Sequence, residues 1–515
     1  LVRDFPRAHH LLDQAAADHG AADSWFHSTR AQVLFCEDRW EEALQEARLS
    51  WEISPNKPAA GAVLVRVLLR LGRLDEAIER LKVAADGQSF EMVQLLAWVL
   101  CAKAERSPRE ARLALAAEAD RLCGRLEDLS PLRGRPLTQL FAAARFDVAM
   151  LAEDPQAMRL QASVLTLPLY QQISRNLDAA PGGTRRLLNY RAVFQKQDRC
   201  LPTSIASIAG TFGHTIDADA LAKELTYNGT PIWRALGWLR EHGYAAKVFV
   251  LTKDLCRDLL VQGLPFVYTF NTSLDDSHAT AAVGIDEDAG LLLYHDPAAE
   301  RFGRILLDHV GEVDHPLGPW GLAFVPADRA ALLEGIGETD ARLGELCQQF
   351  RHTAERGRAD ALAAIVREME QAAPQSPVTE AYRAQWHAMT HQLSAGIAAL
   401  EDLCARYPRC IDLQRMLLFA LDRTRNTARI REFLDQKVRR GRMPGVSDTL
   451  PWRYPPSSCV SRYADIVGLT ADGAAEARDL LLSLLERESS CATAYHVLGD
   501  VYIRQGQLEQ ASLPY

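Results

Sequence analysis

No two of the ten cysteines stand in a Cys-x-x-Cys spacing, and most fall inside apolar patterns of helical period. That excludes a zinc ribbon or a disulfide framework as the organising device. It reads as buried thiols in a reducing compartment, with the cytoplasm as the expected location. Nor does any uninterrupted apolar run approach the ~20 residues that cross a bilayer. An excess of positive charge is also missing: 58 Lys and Arg stand against 67 Asp and Glu, the net charge is −9, and the basic residues are scattered. A nucleic-acid partner is therefore not expected, because such a partner calls for a clustered basic face. The chain starts at Leu1 rather than Met, which leaves a removed signal peptide open.

What is present is length and repetition. A chain of 515 residues exceeds one core and predicts about three domains. Three helical segments align on a small residue: Trp40-Glu41-Glu42-Ala43, Leu74-Asp75-Glu76-Ala77 and Pro108-Arg109-Glu110-Ala111, at intervals 77−43 = 34 and 111−77 = 34. Near the other end, Tyr495, Leu498, Gly499, Tyr502, Gly506 and Ala511 follow the same kind of pattern, and Ala477 precedes Ala511 by 34 residues. Around Ala395 to Pro408 only Tyr407-Pro408 and the helical periodicity support a repeat. The period, with Pro55 closing the first unit and Leu71-Gly72-Arg73 at an inter-helix turn, resembles the tetratricopeptide repeat, a helical hairpin in which small residues sit where its two helices touch. Such hairpins stack because none buries its apolar face alone, and the stack offers a concave surface to a protein or peptide partner. The last repeat pattern is cut at Tyr515, so a longer array is expected.

Between about Leu187 and Pro326 the texture changes. Helical patterns over Leu201 to Phe212, Asp217 to Glu224 and Pro231 to His242 come first. Strand-like runs follow at Tyr244 to Leu251, Pro265 to Asn271, His278 to Asp286, Leu291 to His295 and Trp320 to Val325, bounded by turn residues. Helices before an antiparallel-looking sheet predict an α+β domain. The stretch from Ala330 to Gln371 reads as a long helical segment re-entering the repeats. Gly441 to Pro456, with four prolines, reads as an irregular connector.

The chemistry sits in this middle segment. Cys200 opens the first helical pattern, where unpaired backbone N–H groups and a nearby imidazolium favour a thiolate. Pro202 fits a first turn, where its missing N–H costs nothing. His278 begins a strand anchored by Ala279, Ala281, Val283 and Ile285, and Asp296 ends the next run. A short connection from Asp286 to Gly290 makes those two strands a hairpin with His278 and Asp296 at the same end. The Gln195 amide, five residues before the cysteine, is placed to help the Cys200 N–H hold an oxyanion.

Gln195, Cys200, His278 and Asp296-Pro297, with Val283-Gly284-Ile285-Asp286 and the closing Trp320 to Pro326 run, resemble the peptidase C39-like family of the papain-like clan. They are similar in particular to a bacterial branch with such a domain inserted among tetratricopeptide repeats. The resemblance implies repeats over 1–180, a papain-like peptidase domain over 185–328 and further helical repeats over 329–515. It further implies Cys200 as nucleophile, His278 as general base, Asp296 as orienter of the imidazole and Gln195 as oxyanion donor. Exporter-linked members read Asp-Cys-Gly where this chain reads Arg199-Cys200-Leu201-Pro202, and no transporter follows, so cleavage of double-glycine leaders is not implied.

Each of these residues also has a plainer use. Cys200 alone would be a packed thiol, His278 an edge-strand histidine, and Asp296 before Pro297 a turn initiator. Gln197 competes with Gln195 for the oxyanion. Asp275 and Asp276 suit a solvated loop or the selection of a basic substrate group. Trp233 is a candidate substrate platform, although core packing is the commoner use for it and for Trp238. Cys256, His295 and His309 are read as bystanders. The expected activity is cysteine-peptidase cleavage of a peptide or isopeptide bond in a substrate recruited by the repeats, with no metal or cofactor. Acyl transfer to an amine at the same thioester and a non-catalytic peptide-binding scaffold are the alternatives.

Overall fold

The computed structural model describes residues 5–511 except 20–22, 56, 87–88, 133, 180–181, 228, 273–276, 313, 425–427, 431, 434–460, 462, 466, 469–472 and 488–490. Its N-terminal part is helical throughout: α1 (Phe5–His19), α2 (Ser24–Cys36), α3 (Trp40–Ile53), α4 (Pro58–Arg70), α5 (Leu74–Ala85), α6 (Phe90–Ala104), α7 (Arg109–Leu129), α8 (Arg135–Leu151), α9 (Pro155–Val164) and α10 (Pro168–Ala179). Local chemistry sets several of the starts. The Asp23, Ser89 and Asp154 side chains accept N–H groups of the first turns of α2, α6 and α9, and proline occupies the first turn of α4, α8 and α9.

Ala43 and Ala77 are fully buried among neighbouring helices, as the repeat pattern expects. The third unit departs from it. Residues Arg39, Arg73 and Pro108 precede α3, α5 and α7, so the intervals are 73−39 = 34 and 108−73 = 35. Ala111 consequently faces solvent, and Arg112 takes the inward position. A guanidinium is tolerated there because it pairs with Glu153 at 2.8 Å.

The middle segment carries an antiparallel seven-stranded sheet built from β1 (Arg185–Leu187), β2 (Tyr244–Val250), β3 (Phe266–Asn271), β4 (Ser277–Asp286), β5 (Leu291–His295), β6 (Gly303–Leu306) and β7 (Trp320–Pro326). The order is β2-β7-β3-β4-β5-β6, with β1 on β4. The last strand in sequence therefore lies between β2 and β3. Between β1 and β2 come α11 (Cys200–Thr211), α12 (Ala218–Leu225) and α13 (Ile232–Glu241). They pack on the face carrying Val248, Val267, Ala279, Ala281, Val283 and Leu322. The opposite face, with Phe249, Phe266, Ala282, Ile285, Ala323 and Val325, is covered by α14 (Lys253–Val261). Both faces are buried and residues alternate between them with the strand period of two, except that the register shift between Ala282 and Gly284 carries Ile285 to the α14 face. The expected order, all helices before all strands, fails at β1, which precedes α11, and at α14, which follows β2.

Past the sheet, the expected long helix is two: α15 (Glu338–Glu355) and α16 (Ala359–Ala372). Gly357, at φ +68°, makes the turn between them. Then follow α17 (Pro377–Met389), α18 (Leu393–Arg406), α19 (Ile411–Thr424), α20 (Ala474–Arg487), α21 (Ala492–Arg504) and α22 (Leu508–Ala511). Gly396 lets α18 touch α17, since a Cβ there would come within 2.7 Å of the Ala384 carbonyl oxygen. Ala477 and Ala511 are both buried. The proline-rich stretch from Gly441 to Pro456 lies outside the described residues. No described helix is long and apolar enough to cross a membrane.

Candidate active site

The β4–β5 hairpin pairs Asp286 with Leu291 at its turn and Ala281 with His295 toward its open end. His278 lies three residues beyond Ala281 on one strand and Asp296 one residue beyond His295 on the other. There His278 Nε2 meets Asp296 Oδ1 at 2.8 Å. The second nitrogen, Nδ1, is left for the other neighbour of the ring, the Cys200 side chain, whose interaction helps raise the His278 pKa. Phe270, the cross-strand partner of His278, sets its ring edge-to-face against the imidazole at 5.8 Å.

Cys200 is the first residue of α11, so its backbone N–H has no acceptor within the helix. Two hydrogen bonds fix the helix under the site. Ser204 Oγ donates to the Ala279 carbonyl at 3.4 Å, and Ser207 Oγ accepts from Val193 N at 3.0 Å. The turn leading into the helix carries Asp198 at φ +58°, a left-handed conformation that aspartate tolerates better than most residues. Lys196 and Arg199, on either side of it, both pair with Asp219 of α12. Burial would raise the Asp219 pKa, but these two hydrogen-bonded partners outweigh it and hold the carboxyl below its ordinary value.

Electrostatics fix the charge state of the pair. Burial alone would push the His278 pKa down. Hydrogen bonds to Asp296 and Cys200 outweigh it and raise the pKa from 6.5 to about 10. For Asp296 the balance runs the other way: burial would raise its pKa, but His278 and the Ala298 N–H, which donates to Asp296 Oδ1 at 2.8 Å, lower it. At neutral pH the two form an imidazolium–carboxylate pair.

Gln195 is next to the same turn. Its backbone N–H donates to the Pro297 carbonyl at 2.9 Å, tying the cysteine segment to the aspartate segment. Its side-chain Oε1 is buried without a hydrogen-bond partner among the described residues. Gln197, the competing glutamine, is exposed, and its backbone N–H goes to Asp38 Oδ2 at 3.1 Å. Asp275 and Asp276 lie outside the described residues. Trp233, the candidate substrate platform, stacks its ring on His352 at 4.1 Å and its N–H reaches Glu355, so one face of the half-buried ring packs on α15. Trp238 likewise stacks on His242 at 4.0 Å. Cys256 is fully buried in α14, and burial pushes its thiol pKa far up.

Sequence reading missed the surroundings of His295. This histidine has no exposed surface and is boxed by Tyr190, Phe194 and Phe302, with Tyr190 Oη 3.2 Å from Nδ1. Burial and then Arg106 lower its pKa to about 3, so it is neutral. The adjacency of His295 to Asp296 was the available signal. Nothing local in the sequence points to the arginines that come from the N-terminal helices to this box.

Comparison with known proteins agrees with the two textures of the chain. Residues 187–306 match the model of the Peptidase_C39 like family, and residues 34–99 match that of the tetratricopeptide repeat. The chain thus carries a C39-like α+β domain flanked by helical repeat segments. No curated protein matches it. Solved structures similar to it include the yeast Tom70 crystal structure, at 10% identity over 95% of this chain and 90% of that one, with a TM-score of 0.27. Others are Naa15/Naa10 bound to HypK-THB (13%, 99% and 72%, 0.24) and the APC/C hetero-tetramer Cut9-Hcn1 (11%, 99% and 91%, 0.26).

Proposed function

We propose that the chain is a cysteine peptidase that cleaves a peptide or isopeptide bond in a protein substrate brought to it by the helical repeats. The observation that carries this reading is the 2.8 Å His278–Asp296 hydrogen bond, with the Cys200 side chain, at the start of a helix, interacting with the same imidazole. A cysteine side chain at a helix start beside a charged imidazole is the arrangement of a thiol nucleophile. The Cys200 thiolate attacks the substrate carbonyl and forms a C–S bond. The carbonyl oxygen becomes an oxyanion held by the Cys200 N–H and the Gln195 side-chain amide. His278 then gives its proton to the departing amine as the C–N bond breaks and, now neutral, takes one from the water that hydrolyses the thioester. With the His278 pKa raised to about 10, its proton is in place before substrate arrives. The resting histidine is thus the general acid of the first step rather than a base waiting for the thiol.

The test uses the full chain and a library of protease-generated peptides, with mass spectrometry of newly formed N-termini. Wild-type protein is expected to create a consistent set of new termini that Cys200→Ala does not. No Cys200-dependent termini, in a protein whose Cys200 nevertheless alkylates quickly, would overturn the hydrolase reading. Amine incorporation in place of hydrolysis would assign the same thioester to acyl transfer.

A further inference from the structure

The segment that follows Asp296 is held by the N-terminal repeats rather than by its own domain alone. Arg70, the last residue of α4, donates to the carbonyls of Pro297, at 3.1 Å, and Ala298, and pairs with Glu300 at 3.1 Å. Arg106, just after α6, donates to the Glu300 carbonyl. Glu105 accepts from Phe302 N at 3.1 Å and pairs with Arg301 at 2.6 Å, while Asp147 of α8 pairs with Arg301 and Arg304. On the cysteine side, Asp38, just after α2, accepts from Gln197 N. These contacts come from the ends of alternate helices, α2, α4, α6 and α8, so one edge of the stack runs along the two segments that carry Gln195 and Asp296.

The Pro297 carbonyl is where the two segments join. It accepts both Gln195 N and the Arg70 guanidinium. Arg70 has a side chain only 10% exposed, packs over the Phe194 ring at 5.1 Å, and burial lowers its pKa. Burying a guanidinium is costly unless its fork is filled. Here its two terminal nitrogens are taken by two backbone carbonyls of the turn whose first residue is Asp296 and by the Glu300 carboxylate, while Nε is buried without a partner among the described residues.

We propose that Arg70 is a positioning residue for the Asp296–His278 pair, so that the N-terminal repeats, through their own fold, set the reactivity of Cys200. This deepens the peptidase reading and rests on it. With the fork removed, the Pro297–Ala298 turn loosens. Asp296 then loses its fixed distance to His278, and the imidazolium loses the carboxylate that holds its proton. Among the described residues, the titratable and charged groups facing the pair are Cys200 from α11, Tyr294 and His295 from β5, and Arg70 from α4.

The test measures the iodoacetamide reaction rate at Cys200 in the full chain from pH 5 to 9, residue by residue, with the exposed Cys36 as internal standard. Arg70→Gln is expected to slow Cys200 about tenfold near pH 6 and to move the low-pH limb of its profile upward. Arg70→Lys, which keeps charge but not the fork, is expected to fall between it and wild type. Arg112→Gln breaks an equally buried pair that stays within the repeats, and is expected to leave the profile unchanged. A wild-type profile in folded Arg70→Gln overturns the proposal, as does an equal shift in Arg112→Gln. Should Arg70→Gln not fold, an unchanged profile in Arg70→Lys overturns it. A wild-type Cys200 that reacts no faster than Cys36 instead removes the peptidase reading and this inference with it.

Discussion

His278 Nε2 lies 2.8 Å from Asp296 Oδ1, and that contact joins the two strands of a hairpin whose turn is at the opposite end. It fixes which ring nitrogen faces Cys200. It also holds the histidine charged, with its pKa raised from 6.5 to about 10.

A raised folded-state pKa makes the pair a source of stability with a defined pH window. The contribution is fully present below about 6.5, where the unfolded chain is also protonated, and is lost as pH rises through about 10. Asp296→Ala is therefore expected to lower the urea midpoint clearly at pH 6 and much less at pH 10.5. The same variant should shift the low-pH limb of Cys200 alkylation upward by more than one unit, the size of effect expected for losing a paired carboxylate. An equal loss of stability at both pH values would show that the pair is not charged in the folded protein.

Gln195 is placed by its backbone bond to Pro297 and has an unpartnered, buried amide oxygen. If its amide N–H serves the oxyanion, Gln195→Ala is expected to reduce kcat about 10²–10³-fold with little change in KM, as for other single-donor losses. Steady-state kinetics on a cleaved peptide would check this. A change confined to KM would assign the glutamine to ground-state binding instead.

Both halves of the site were legible in the sequence because each is local. Alternating Ala279, Ala281 and Val283, with a short connection before Leu291, specify a hairpin and hence which residues share its open end, whereas Ile285, read on the same face, lies on the other one past the register shift between Ala282 and Gly284. Cys200 before Pro202 specifies a helix start. The nine-residue α14 escaped because Leu255, Cys256, Leu259 and Leu260 form a short amphipathic run between two stronger strand signals. The three-residue β1 and four-residue β6 are too short and polar to show a period of two. The third repeat misled by one residue, since an alanine stands at 111 while buried Arg112 occupies its expected place, a substitution that only Glu153, 41 residues on, makes tolerable. Arg70 and Pro297 are separated by 227 residues, and no local pattern encodes such a contact.

Asp314 is 3% exposed, accepts from Asn271 Nδ2 at 2.8 Å, and has its pKa raised to about 7, first by burial and also by the nearby Asp412 charge. A carboxyl with a raised folded-state pKa holds a proton that the unfolded chain releases. Stability at this position is highest below about 3.8, falls as pH rises towards 7, and stays at the lower value above it. Asp314→Asn keeps an oxygen for Asn271 and removes the ionisation. It is expected to raise the melting temperature at pH 8 and to leave it nearly unchanged at pH 4. The same shift at both pH values would mean that the substitution acts through packing.

The C-terminal helices are fastened to the sheet at a backbone contact, and that contact predicts the most damaging small substitution in α15. Gly344 lies against β2 so closely that a Cβ would come within 2.9 Å of the Val248 carbonyl carbon and 3.2 Å of Phe249 Cα. The neighbouring atoms are backbone, so no rotamer change can relieve the clash. α15 would have to move off the strand and loosen the buried contacts of Leu343, Leu346 and Phe350. Gly344→Ala is expected to cost about 1–3 kcal/mol, read as a lower urea midpoint at any pH. Helix propensity alone would favour alanine by up to about 1 kcal/mol, so the two effects have opposite signs. A stabilised Gly344→Ala would show that α15 does not sit on β2 at this distance. Gly237 is a contrasting control because a Cβ there meets nothing within 4 Å. It lies inside α13, and Gly237→Ala is expected to stabilise the protein.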